Sequence, residues 1–417
     1  MQESDVTLLF RDLRGGRISR RQLLRKAGML GLTVPTIAAL LAACGSGSDS
    51  TQTASAGNTA STGATTPSGT SGSPVANGSP ISMGDWKPRD VKVDLTGSGS
   101  SFVDPAMQLW VQQYKKLAPN VTINYQSVGS GQGKKDFISG VTDFAGTDAY
   151  MTDDELKQAP GSLHIPVVLG SVAITYNLSG VSKLQLSGPT LANIYLGKIT
   201  TWNDGAIATD NPGASLPEAP ITVVYRADGS GTSAIFTNFL SKVSDEWKSN
   251  VGFGTAVQWP VGIGGQQNPG VAAGVQQTPG AIGYVELAYA TVNKLPEIAI
   301  KNATGAYVLP TLESTSAAAV GFINELPDDL RVFITNPPTG EQAYPITGFS
   351  WVLLRPSYDN EKTAQALTDF CYWAITAGQT VSKSLEYAPL PDPVRAIEIK
   401  KLERVQAGGT AVFQAPM

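Results

Sequence analysis

Three times in this chain, a stretch of alternating apolar residues ends in a loop of serine and glycine that runs straight into a helical pattern. Val91-Lys-Val-Asp-Leu95 leads into Gly97-Ser-Gly-Ser-Ser101, and a helix then opens at Asp104-Pro105 with Met107, Trp110, Val111, Tyr114 and Leu117 on one face. Val121-Thr-Ile-Asn-Tyr125 leads into Gly129-Ser-Gly131 and a helical pattern over 134–141. Pro220-Ile-Thr-Val-Val-Tyr225 leads into Arg226-Ala-Asp-Gly-Ser-Gly-Thr232 and a helix from Ser233 to Leu240, with Ile235, Phe236, Phe239 and Leu240 on one face. Strand period giving way to helix period in this order predicts an α/β fold with mainly parallel sheets. Asp104 is placed to cap the first helix, Pro105 to occupy its first turn and Pro119 to stop it. From residue 91 onward the body exceeds one typical domain, so two α/β lobes are expected.

The repeated unit also carries chemistry. The first turn of a helix exposes unpaired backbone N–H groups and a partial positive charge. Glycine lets the backbone come close to a ligand, and Ser or Thr hydroxyls add donors. Three such ends, at Gly97–Phe102, Gly129–Gly133 and Gly229–Thr232, would together hold a compact oxyanion if they converge. Singly, each reads first as a plain helix cap. None carries the Gly-Lys-Ser/Thr of a nucleotide-phosphate loop, and none is a Gly-x-Ser-x-Gly nucleophile elbow.

The N-terminal region has a separate logic. Residues 17–44 place Arg17, Arg20, Arg21, Arg25 and Lys26 ahead of an apolar run that ends in small residues before Cys44, the layout of an export signal. The run from Ala27 to Ala43 is short for a membrane span and contains Pro35. Ser19-Arg20-Arg21-Gln22-Leu23-Leu24-Arg25 resembles a twin-arginine signal, with Leu23 where Phe is commoner and Arg25 where Lys is commoner. Leu41-Ala42-Ala43-Cys44 resembles a lipoprotein box, which implies acylation of Cys44 and a membrane anchor. Residues 45–84 are almost wholly Gly, Ser, Thr, Ala, Asn and Pro, with Asp49 the sole charge, so a flexible tether is expected over 45–90.

Charge and rare residues narrow the function classes. Without residues 1–43 the chain keeps 23 basic and 31 acidic residues, about −8, which argues against nucleic acid. Two cysteines, Cys44 and Cys371, give neither a disulfide framework nor a thiolate metal site, and the single histidine, His164, gives no multi-histidine site. No metal or cofactor is expected. His164, between apolar residues in Leu-His-Ile-Pro, reads as a packed or surface histidine rather than a catalytic one. Cys371, in Phe-Cys-Tyr-Trp, reads as a buried thiol, and Trp202, Trp247 and Trp259 read as core or surface packing.

Arg226-Ala-Asp-Gly-Ser-Gly-Thr-Ser233 resembles the signature loop of bacterial high-affinity phosphate-binding proteins, the soluble component of phosphate ABC transporters. Leu95-Thr-Gly-Ser-Gly-Ser-Ser-Phe102, Asp143-Phe-Ala-Gly-Thr-Asp148, Ile194-Tyr-Leu-Gly-Lys-Ile199, Glu246-Trp-Lys-Ser-Asn-Val-Gly252 and Pro279-Gly-Ala-Ile-Gly-Tyr-Val-Glu286 agree in the same order. The likeness covers nearly the whole body and weakens between Glu297 and Gln342. It implies a two-lobed periplasmic-binding-protein-like fold of type II, with phosphate in the interlobe cleft and closure of the lobes on binding. Lobe 1 would comprise 91–167 and 345–417 and lobe 2 would comprise 168–344, with the second crossing near Tyr344-Pro-Ile-Thr347. The resemblance also implies the ligand set: Ser101, Phe102, Ser130, Asp148, Arg226, Ser230, Gly231 and Thr232, with Phe102 and Gly231 acting through backbone N–H. Ser101 stands where the family more often has Thr and keeps the hydroxyl. The implied role is delivery of phosphate to a membrane permease by an exported monomer at the outer face of the cytoplasmic membrane or in the periplasm.

Two of these residues have a clear physical role in such a site. Arg226 offers charge-assisted bonds to phosphate oxygens. Asp228 either orients Arg226 by pairing with it or is a turn aspartate before glycine. Asp148 is a carboxylate facing an anion, which helps only by accepting a hydrogen bond from a protonated oxygen of phosphate. Sulfate has no such proton at neutral pH and would be rejected. The competing readings are an exported phosphatase or serine hydrolase, a receptor for sulfate, molybdate or tungstate, and a scaffold or adhesion lipoprotein. The first would need a base and an orienting group beside a serine, or clustered metal ligands.

Overall fold

The computed structural model describes residues 86–416; the segments read above as export signal and tether, with Cys44, lie outside the described residues up to residue 85. Numbering the strands of the main sheet and the helices that serve it, the order is β1 (Val93–Gly99), α1 (Asp104–Leu117), β2 (Val121–Ser127), α2 (Ser130–Ile138), β3 (Phe144–Thr147), α3 (Asp153–Gln158), β4 (Leu163–Tyr176), β5 (Thr222–Arg226), α4 (Gly231–Val243), β6 (Ile263–Gly265), α5 (Gln267–Gln277), β7 (Ala281–Glu286), β8 (Thr347–Leu354) and α6 (Glu361–Ile375). Among the described residues no helix is long and apolar enough to cross a membrane.

The eight strands run in the order β2-β1-β3-β8-β4-β7-β5-β6. Strands β1, β2 and β3 are parallel, and β8 is antiparallel to both of its neighbours, β3 and β4. Strand β4 joins two curled halves. Its first part, Leu163 to Ser171, pairs with β8 with a register shift that leaves Val167 unpaired there, and Val172 to Tyr176 pair with β7. All fourteen residues of β4 are buried, so it carries side chains into the core on both faces instead of alternating with water. Beyond β7, β5 lies parallel to both β7 and β6. This is a mixed α/β, two-lobed periplasmic-binding-protein-like architecture.

The helices form where the sequence pattern places them, with shifted ends. Helix α1 buries Met107, Trp110 and Tyr114, and Tyr114 packs edge-on against Phe370 of α6. Asp104 is the first helical residue and not the cap, a position held by Val103. Its carboxylate still sits in the first turn, where the helix dipole favours it. Helix α2 begins four residues earlier than expected, through Ser-Gly-Gln-Gly. The cause is a close approach: a Cβ at Gly133 would stand 2.3 Å from the Gly99 Cα, so contact between α2 and β1 requires glycine there.

The tether ends sooner than residue 90. Trp86 packs edge-on against Tyr372, and Arg89 holds both oxygens of the Asp369 carboxylate and the Thr368 hydroxyl on α6. Residues 86–90 are therefore part of the folded body. Cys371 is buried, and burial pushes its thiol far above the usual range.

Candidate functional site

The loops that follow β1, β2 and β5 end against one another, and Asp148 lies at their meeting point. Asp148 directly follows β3 and is fully buried. Its carboxylate is ringed by hydroxyls. Ser100 donates to Oδ2 at 2.5 Å, Ser130 to the same oxygen at 3.2 Å, and Ser350, from the middle of β8, to Oδ1 at 2.5 Å. Burial raises this carboxyl to a pKa of about 6, and the three hydroxyls together with Arg226 keep it from rising further.

Arg226 ends β5, and its side chain is almost wholly buried. Asp228 grips the guanidinium in a fork: Nε donates to Oδ1 at 2.8 Å and Nη2 to Oδ2 at 2.5 Å. Nη1 donates to Thr232 Oγ1 at 3.1 Å. Three of the five guanidinium N–H donors are thereby engaged. Burial alone would raise the Asp228 carboxyl. The Arg226 fork and the Gln267 backbone N–H outweigh burial and hold it below the usual carboxylate range. Of the two readings of Asp228, the structure shows the ion pair.

Ser230 caps α4, its Oγ accepting the Ser233 backbone N–H at 3.0 Å. Gly231 and Thr232 open that helix and aim its N-terminus at Asp148. A Cβ on Gly231 would lie 2.4 Å from both Asp148 Oδ2 and Ser130 Oγ, so only glycine fits. The opposing loops touch through their backbones, with Gly131 N–H donating to the Gly229 carbonyl at 2.8 Å. Ser101 reaches across to α5, where Asn268 donates to its hydroxyl. The Phe102 backbone N–H donates to Ser100 Oγ at 2.9 Å, and its ring is buried beside Tyr387.

All nine residues named from the sequence thus lie in one cluster where the two curled halves meet, eight of them buried and Asp228 half-buried. Four further members are Ser100, Ser350, Asn268 and Tyr284, whose hydroxyl accepts the Arg226 backbone N–H at 3.0 Å. Ser350 carries a faint signal: it is a hydroxyl between Phe349 and Trp351 in a strand whose residues are all buried. Asn268 carries none, because Gln-Gln-Asn-Pro-Gly reads as a turn.

His164 is engaged elsewhere. Its Nε2 accepts the Met151 backbone N–H at 2.9 Å. Burial, with Lys401 and Arg331 nearby, lowers its pKa to about 3, so the ring is neutral at any physiological pH.

The chain matches the model of the PBP superfamily domain over residues 50–377. It is 45% identical over 301 residues to the phosphate-binding protein PstS of Xylella fastidiosa (strain 9a5c), covering 72% of this chain and 82% of the relative. The chain belongs to the PstS phosphate-binding protein family. It is also 37% identical to PstS of Methanocaldococcus jannaschii, over 77% of this chain and 88% of that one. Among solved structures it resembles a high-affinity periplasmic phosphate-binding protein bound with phosphate, at 24% identity and a TM-score of 0.58, over 73% of this chain and 92% of the other. A phosphate-binding protein from Stenotrophomonas maltophilia shares the fold at 23% identity and a TM-score of 0.53, over 73% and 93% of the two chains.

Proposed function

We propose that this protein binds inorganic phosphate outside the cytoplasmic membrane and hands it to an ABC importer, without catalysing a reaction. One observation carries the reading: a fully buried carboxylate, Asp148, stands among hydroxyl and helix-end donors beside a forked arginine. An oxyanion with a proton of its own suits such a site, since it can accept from the donors and give one hydrogen bond to Asp148. The ligand contacts are assigned to the hydroxyls of Ser101, Ser130, Ser230 and Thr232, the backbone N–H groups of Phe102 and Gly231, the carboxylate of Asp148 and the guanidinium of Arg226, with Asp228 as its orienting partner. The family relationship supports the ligand and the transporter partnership.

The two halves meeting through β4 and β8 support a lobe 1 built from 91–167 and 345–417 and a lobe 2 from 168–344. The basic, apolar and small-residue order of residues 17–44 supports export and a lipid anchor on Cys44, with a monomeric body held near its permease. Deletion of the coding sequence is expected to abolish phosphate uptake at low external phosphate, measured with radiolabelled phosphate. Restoration should follow from the intact chain and not from Arg226→Ala. Uptake unchanged by the deletion contradicts the transport role, and a Cys44→Ala protein that stays in the membrane fraction contradicts the anchor.

A further inference from the structure

Asn268 is fully buried at the start of α5, and its amide orientation is fixed by an unambiguous donor. The Glu286 backbone N–H points at Oδ1 at 3.0 Å, and a backbone N–H can only donate. The other end of the amide is therefore Nδ2, which faces two hydroxyls: Ser101 Oγ at 3.1 Å and Thr232 Oγ1 at 3.2 Å. These hydroxyls come from opposite halves of the cleft, Ser101 from the loop after β1 and Thr232 from the first turn of α4.

Each hydroxyl receives a second donor. The Asn268 backbone N–H approaches Ser101 Oγ at 3.3 Å, and Arg226 Nη1 approaches Thr232 Oγ1 at 3.1 Å. A hydroxyl oxygen has two acceptor positions and one proton. With both acceptor positions met by N–H groups, each hydroxyl keeps only its proton to offer. We infer that Asn268 is a positioning residue that fixes Ser101 and Thr232 as hydrogen-bond donors toward the ligand and joins the two halves through them. The inference rests on the reading of this cleft as a phosphate site and deepens it. Both hydroxyls are set to meet unprotonated ligand oxygens, which leaves the Asp148 carboxylate to receive the proton-bearing one.

The test is a double-mutant cycle on the full-length protein, stripped of carried-over ligand and read by calorimetric titration of inorganic phosphate. Asn268→Leu removes the Nδ2 donors at similar volume and is expected to weaken phosphate binding about tenfold or more. The same substitution is then made in a Ser101→Ala, Thr232→Val background. If Asn268 acts through those hydroxyls, its cost largely disappears there; if it merely supports the backbone, the cost is the same in both backgrounds. Should Asn268→Leu not fold, Asn268→Ala in the same two backgrounds reads the same coupling. Unchanged affinity in the Asn268 variants, or equal cost in both backgrounds, overturns the inference while leaving the phosphate site standing. Failure of the unsubstituted protein to bind phosphate removes the reading of the cleft, and this inference with it.

Discussion

Replacing Asp148 by asparagine should make the protein more stable and less discriminating at once. In the folded chain, burial raises the Asp148 carboxyl from 3.8 to about 6. By linkage that difference is worth about 3 kcal/mol. The sign follows from proton binding. Between the two pKa values the folded state holds a proton that the unfolded state has released, so stability falls as pH rises through this window. The cost is absent below about pH 3.8 and fully developed above about pH 6. Asparagine carries no charge to bury and keeps an acceptor for the Ser100 or Ser350 hydroxyl. The ligand-free variant should therefore gain up to about 3 kcal/mol at pH 7.5 and nothing at pH 3.5, measured by urea unfolding of stripped protein. In binding, the variant loses one charge-assisted bond from protonated phosphate, about 1.5–3 kcal/mol, or roughly ten- to a hundredfold. It also loses the repulsion that excludes sulfate, so sulfate binding should appear. A variant no more stable at pH 7.5 than at pH 3.5, relative to the unsubstituted protein, refutes the burial argument. A variant that still rejects sulfate refutes the role given to the carboxylate.

Three other perturbations follow from the same geometry. Gly231→Ala places a methyl group 2.4 Å from Asp148 Oδ2 and Ser130 Oγ, so phosphate binding should be lost while urea unfolding stays cooperative; unaltered affinity would mean that the helix end does not pack as described. Asp228→Asn breaks a buried fork and leaves Arg226 without its charge partner, which should destabilise the ligand-free protein by about 3–5 kcal/mol. Loss of the orienting carboxylate should also weaken phosphate binding, seen as a smaller phosphate-induced rise in Tm than in the unsubstituted protein, and an equal rise in both contradicts the orienting role. The His164 ring should stay neutral down to about pH 3, followed by its imidazole NMR resonances; a titration between pH 5 and 7 contradicts its burial.

The candidate site was legible in the sequence where its parts are local. The Arg226–Thr232 loop carries a strand end, a forked arginine, a helix cap and two donors within seven residues, and each follows from neighbours in the chain. Asp148 was not legible from local pattern, since a carboxylate at a strand end reads as a turn residue; the family resemblance alone singled it out. Ser350 lies 202 residues from Asp148 and Asn268 lies 167 residues from Ser101, and only the register of β8 and the packing of α5 bring them in. The α2 start was misread for a related reason. Glycines that weaken a helix locally are retained because Gly133 lies against Gly99, and that contact outweighs propensity. The tether boundary failed likewise: Trp86 and Arg89 follow a polar, glycine-rich stretch, and their partners on α6 lie about 280 residues away.

The central claim is a cleft that selects phosphate by the proton it carries. Calorimetric titration of phosphate and then sulfate into the stripped protein at neutral pH tests it most directly. Tight, saturable phosphate binding with no sulfate response is the predicted result. Equal or preferred sulfate binding, or no response to either anion, would contradict the account.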